Sequence, residues 1–343
     1  MTRREHINEA QPATIDQHFS DLINDTSVID ETPRELKKDD LPDWYDEKLF
    51  KAGQNYVCKN LMAISLGAMS GLLAVLVIPS ILKILVWTKK SGSACTAFTR
   101  YLQTQLHVHH LYVSDINDPN SRFWKSINVI RHVHSTSSRR SRNAGMGGIT
   151  HRDMALTQFG FMGYALIAPE KLGLTNEKEG REGFTHLWRV VGHSLGISDH
   201  LNICRKNEAE TTKLCRKLIN EVFGPKIKNY PEKFPEMADA LIDGLWCANP
   251  ALNYDSMMNF WYDLSGLRYD KPLGFASKLN YAYRSCIIYL IGTPYIGFFV
   301  RNGFNYYLSF TYWLLERWRV LAWIRFGKEQ SKIQLFPKEA IID

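Results

Sequence analysis

Residues 61–82, LMAISLGAMSGLLAVLVIPSIL, run for 22 positions without a charge, and Lys83 alone interrupts the continuation to Trp87. A stretch of that length can span a bilayer as one helix. The same stretch carries Ser65, Gly67, Ser70, Gly71, Pro79 and Ser80. Small and hydroxylated residues lower its hydrophobicity and let helix backbones approach closely, as in a fully buried central helix. Two readings of 61–87 therefore stand side by side, a transmembrane helix or a core helix. A second apolar run, SCIIYLIGTPYIGFFV at 285–300, is 16 residues long and broken by Gly-Thr-Pro. That interruption fits a buried or membrane-surface helix better than a full span.

The remaining patterns are helical. Thr150 and Asp153 form a T-x-x-D start ahead of the apolar stretch that ends at Pro169. Residues 181–197, 235–246 and 249–267 repeat the helical period. Strand-like alternation is scarce and no internal repeat is visible, so the expected fold class is all-α. We expect a polar, acidic N-terminal extension over 1–55, mobile or loosely docked. A single multi-helix domain follows over 56–325, with 61–87 as the possible transmembrane helix, and a C-terminal tail over 326–343.

Charge is uneven. Residues 1–50 hold thirteen Asp/Glu and six Lys/Arg, a net of −7, while the whole chain is +7, which leaves +14 for residues 51–343. A basic body suits anionic lipid headgroups, acidic substrates or nucleic acid. No zinc finger or RNP-type motif accompanies it, and no basic run exceeds RRSR at 139–142, so nucleic acid is not an expected partner. The six cysteines form no C-x-x-C and no C-x-x-C-H, which points to reduced packing residues and excludes ordinary covalent haem attachment. No signal peptide is expected from the polar first fifty residues. G-x-S-x-G, the Rossmann fingerprint and the P-loop are all missing from the sequence.

Two histidine-bearing stretches carry the remaining chemistry. In NVIRHVHSTSSRR (128–140), a helical projection puts Trp124, Ile127, Ile130, Arg131 and His134 on one face. Lys125, Asn128, His132, Ser135 and Arg139 fall on the opposite, polar and wet face. A histidine on an apolar face is more often a hydrogen-bonded core residue than a ligand, and this stretch alone does not decide for His134. In TAFTRYLQTQLHVHHLY (96–112), Arg100, Gln103, Thr104 and His107 share a helix face. Alone, that face reads most simply as solvated. His107, His109 and His110 hint at a metal, but His109 and His110 should diverge from His107. No H-E-x-x-H or paired E-x-x-H supports a non-haem site. Gly160 and Gly163 suit helix packing, or a flat ligand against the helix, while His193 and His200 look like polar residues of a helix boundary.

The order of these features resembles a known family. R-x-x-Q-T (Arg100, Gln103, Thr104) is followed about thirty residues later by R-x-x-H (Arg131, His134). DMALTQFGFMGYALIAPEKLG and LWRVVGHSLGISDHLNIC come next. Over roughly 60–320 the chain resembles the family that shares the catalytic domain of rubber oxygenase (latex-clearing protein) and of the endoplasmic-reticulum-bound oxygenase of mycophenolic acid biosynthesis. It is most similar to the animal branch. The resemblance implies an all-α fold, non-covalent haem b, and O2-dependent cleavage of a carbon–carbon double bond in an apolar, isoprenoid-type substrate. It implies His134 as the proximal iron ligand, with Arg131 one turn before it. Arg100, Gln103 and Thr104 fall at the distal R-x-x-K-T motif, where Gln103 replaces the family lysine. Arg131, Arg139 or Arg140 could neutralise one haem propionate, although solvent exposure is the commoner fate of a pair such as Arg139 and Arg140. An intracellular membrane, such as the endoplasmic reticulum, is the implied setting. Rival readings are a non-catalytic haem-binding or sensing protein of the same fold, and a membrane scaffold with no cofactor.

Overall fold

The computed structural model describes residues 10–337, so the outermost parts of the expected extension and tail lie outside the described residues. The fold is all-α, and among the described residues no strand forms. The backbone bonds between Ile29 N and Ile149 O and between His151 N and Ser27 O make one isolated bridge.

The α-helices of seven or more residues follow in chain order. They are α1 (Ile15–Asn24), α2 (Glu47–Lys59), α3 (Leu61–Leu76), α4 (Pro79–Trp87), α5 (Ala94–Val113), α6 (Arg122–Asn143) and α7 (His151–Ile167). Then come α8 (Lys178–Ser194), α9 (Glu208–Leu218), α10 (Phe234–Leu245), α11 (Tyr254–Leu264), α12 (Phe275–Gly292), α13 (Ile296–Arg317) and α14 (Val320–Phe326).

The apolar run is two helices and not one. Pro79 supplies no N–H and holds Ile78 extended (φ −83°, ψ 115°), so the chain turns after α3 and restarts as α4. Twelve of the sixteen residues of α3 are buried. Gly71 and Gly160 bring α3 and α7 into backbone contact, since a Cβ on Gly71 would fall 1.7 Å from Gly160 O. The small residues of the run thus serve helix packing, and the core-helix alternative describes 61–76. Gly160 is used in the same way, and Gly163 is covered by the Phe159 ring. Among the described residues no single helix is long and apolar enough to cross a membrane. Helices α2 and α3 pass that test together by length and composition, but a 92° bend separates them. Asn305 of α13 fixes this corner by donating to the carbonyls of Cys58 and Lys59 and accepting from Met62 N.

The N-terminal extension is not loosely docked. His18 and Leu22 of α1 are fully buried, and Ile29, Leu36 and Trp44 join the core. Gln11 Nε2 donates to the carbonyls of Asp199, Asn202 and Cys204 at 3.3, 3.1 and 3.1 Å. Arg205 Nη1 donates to His18 Nδ1 at 2.9 Å. Polar composition hid this docking because buried polar groups such as Gln11 and His18 find partners inside the fold. The Thr150 cap accepts from Asp153 N at 3.1 Å, but Asp153 turns away to accept from Ser80 Oγ, so the expected box is half formed.

Candidate functional site

Helices α5 and α6 pack against each other and present the histidines. Ser93 and Thr96 cap each other at the start of α5. On α6, Asn128 accepts from Leu36 N at 2.8 Å and donates to Leu36 O at 3.0 Å. Ser138 donates to Glu31. The face expected to be wet is therefore partly roofed by the N-terminal extension, and Ser135 is buried. His132 keeps intermediate exposure there, as His134 does when taken as a whole residue.

His134 lies on the other side. Its Nδ1 is shielded from solvent and has no hydrogen-bond partner. Burial, followed by the positive charges of Arg100 and Arg131, pushes its pKa down to about 4. The ring is therefore neutral at ordinary pH and its lone pair is not consumed by a proton. Arg100 Nη1 donates to Thr88 Oγ1 at 3.1 Å and to Ser91 Oγ at 3.2 Å, and burial lowers its pKa. Arg131 Nη1 donates to Ser194 O at 2.9 Å, at the C-terminal end of α8 where carbonyls favour a cation. Its Nε is buried without a partner. Among the described residues neither arginine has a carboxylate within ion-pair distance. Gly196, at φ +90°, lets the chain pass beside this guanidinium, since a Cβ there would stand 3.0 Å from Arg131 Nη1. The physical content of GHSLG is thus a clamp on Arg131, which side-chain reading of His193 and His200 did not reveal. Those two histidines pair with Asp199 (2.8 Å) and Asp21 (3.0 Å).

The structure joins Arg100, Arg131 and His134. It commits the other expected residues differently. Gln103 Nε2 donates to Gln334 O of the C-terminal tail at 3.3 Å, and Thr104 Oγ1 donates to Arg100 O at 3.1 Å. Arg139 and Arg140 are exposed.

His107 and His110 do not diverge. Their Nδ1 atoms lie 3.1 and 3.3 Å from Ser126 Oγ, and both rings contact Phe336. Three positions on a helix bring side chains to one face. His109 also has a shielded, unpartnered Nδ1. Its ring packs on Tyr312 at 4.8 Å, and the charge that acts on it is Glu316. A cavity of about 10 Å³ beside it has room for one water. Among the described residues no three His, Cys, Asp or Glu side chains gather around a metal position.

Haem b needs one neutral axial imidazole and cations near its propionates. His134 with an unpartnered nitrogen, beside two arginines that have no carboxylate within ion-pair distance among the described residues, fits that donor set. His109 has the nitrogen without the cations.

No family model matches the sequence, and no curated protein matches it. A solved structure described as latex clearing protein in the closed state does match in shape. Its TM-score is 0.57, over 79% of this chain and 76% of that one, at 12% sequence identity. The chain therefore has the fold of that protein. The likeness does not distinguish one branch of the family from another.

Proposed function

We propose that the chain is a haem b-dependent, oxygenase-like protein that acts with O2 on an apolar, alkene-bearing substrate of isoprenoid type. The observation that carries the reading is the buried, unpartnered His134 nitrogen beside Arg100 and Arg131. An intracellular membrane, such as the endoplasmic reticulum, is the proposed setting, because apolar substrates partition there.

Haem b, when bound, supplies an iron centre at which O2 is activated for attack on a carbon–carbon double bond. His134 contributes a lone pair without carrying charge into the core. Arg131 is pre-positioned by Ser194 O, so its remaining donors are available to a carboxylate. Arg100 is held by two neutral hydroxyls and can answer a second anionic group. Gln103 can donate a hydrogen bond but cannot take a proton as a base, and an amide is a poor iron ligand.

That last point favours one alternative, a haem-binding or sensing protein with no turnover. The bond from Gln103 to the tail carbonyl of Gln334 adds to it, because the amide is already engaged. Titrating purified protein with haem, then following O2-dependent loss of squalene and appearance of carbonyl products, separates the readings. A Soret band with product supports the oxygenase. A Soret band without product leaves the binding protein, and the absence of any Soret band overturns both.

A further inference from the structure

The C-terminal hairpin exposes a large aromatic surface. Along α13, Phe299, Tyr306, Phe310 and Trp313 form one stripe and are 73%, 77%, 58% and 44% exposed. The opposite face of α13 is committed inward. Asn305 holds the α2–α3 corner, Tyr312 OH pairs with Ser65 Oγ at 3.2 Å, and Leu315 is buried. The aromatic stripe cannot turn into the core without breaking these anchors. At the tip, Tyr295 has φ +62° and ψ −55°, and Ile296 N donates to Pro294 O at 2.7 Å. This is a γ-turn of the rare type that strains a non-glycine residue. It leaves Tyr295 90% exposed beside exposed Phe298 and Phe299. Ile324 of α14, 79% exposed, extends the apolar surface.

The charge of this segment is one-sided. Residues 271–328 contain eight Lys/Arg and one Asp/Glu, Glu316, which accepts from Arg122. Lys271, Lys278, Arg317 and Lys328 are exposed. Arg317 stacks over Trp313 at 4.7 Å. Tyrosine and tryptophan rings with adjacent Lys/Arg suit the depth where acyl chains meet headgroups. Neither α12 nor α13 qualifies as a membrane-spanning helix.

We infer that α12–α14 form a monotopic docking surface for an anionic lipid bilayer, with the Tyr295–Phe299 tip inserted and the flanking basic residues on the headgroups. This surface is separate from His134 and stands whether or not haem binds.

Flotation of the full-length chain with vesicles tests it. The chain should float with phosphatidylcholine–phosphatidylserine vesicles, more weakly with phosphatidylcholine alone, and less as salt rises. Brominated lipid should quench its tryptophan fluorescence. The triple variant Tyr295→Asp, Phe298→Asp, Phe299→Asp should lose roughly tenfold or more in partitioning. Val113→Asp, an exposed control on α5, should not. Circular dichroism of both variants shows that they remain folded; if the triple variant unfolds, the single variant Tyr295→Asp takes its place. Equal flotation of variant and parent overturns the proposal, as does failure of the parent to float with anionic vesicles. Self-association of the parent, abolished by the triple variant while vesicles are ignored, also overturns it and makes this face a protein interface.

Discussion

At Gly196 the backbone adopts φ +90°, and the space a Cβ would need lies 3.0 Å from Arg131 Nη1. Gly145, at φ +71°, has nothing within 4 Å of its missing Cβ. Both Gly→Ala changes carry the cost of an unfavourable backbone, about 1–2 kcal/mol. Only Gly196→Ala also displaces the guanidinium. Gly196→Ala is therefore expected to lower haem affinity several-fold in titration while Gly145→Ala leaves it unchanged, with denaturant unfolding reporting the shared loss. Equal affinities would remove Arg131 from the site. The helical period made the separation of His132 from His134 legible in sequence, because both belong to one regular helix. The grip of Ser194 O on Arg131 was not legible, because it joins residues 63 positions apart. The convergence of His107 and His110 was available in the i, i+3 spacing, but Ser126, the atom they share, lies on another helix.

Among the elements, the α3–α7 crossing is the most sensitive to side-chain size. Gly71→Ala places a methyl into the Gly160 carbonyl, and neither backbone can yield without shifting a buried helix. The expected loss is about 3 kcal/mol or more, read as a fall in the denaturation midpoint. Gly92→Ala, with open space at its Cβ, should be near neutral. A midpoint unchanged by Gly71→Ala would mean that the two helices do not touch there. Hydropathy and length alone could not separate a membrane span from a core helix, since both are uniformly apolar. The signals that resolve it were in the same 22 residues: glycines and serines at packing positions, and Pro79, which ends one helix and starts another. The exposure of the second apolar run had no such internal signal, because which rings face outward depends on where Asn305 and Tyr312 anchor α13.

For the whole molecule, the all-α class was legible, whereas the docking of residues 10–46 was not. Acidic composition reads as solvated, and nothing local announces that Gln11 will meet three carbonyls or that Leu36 will clasp Asn128. Removing residues 1–46 takes Leu22, Ile29, Leu36 and Trp44 from the core. At about 1.5–3 kcal/mol per large side chain, that loss rivals the stability of an entire domain. The truncated chain should lose near-ultraviolet circular dichroism or aggregate. A monodisperse, cooperatively folding product would contradict the packing. Acid should destabilise the intact chain as well. Burial lowers the pKa of His18, His107, His109 and His110 from 6.5 to about 4. Below 6.5 the unfolded chain binds protons that the folded chain refuses, so stability is full above that value and falls as pH drops toward 4. Each group contributes on the order of 1–3 kcal/mol to that fall. Denaturant midpoints between about pH 7 and pH 5 should show the slope, and His18→Gln should flatten it. A midpoint independent of pH would mean that these rings are open to solvent.

Whether haem is held through His134 is decided by haem titration of His134→Ala and His132→Ala in parallel with the parent. His134→Ala should lose affinity about a hundredfold or more and regain a Soret band when imidazole is added, while His132→Ala should bind as the parent does. Retention of haem by His134→Ala together with its loss in His132→Ala would rule out His134 as the ligand.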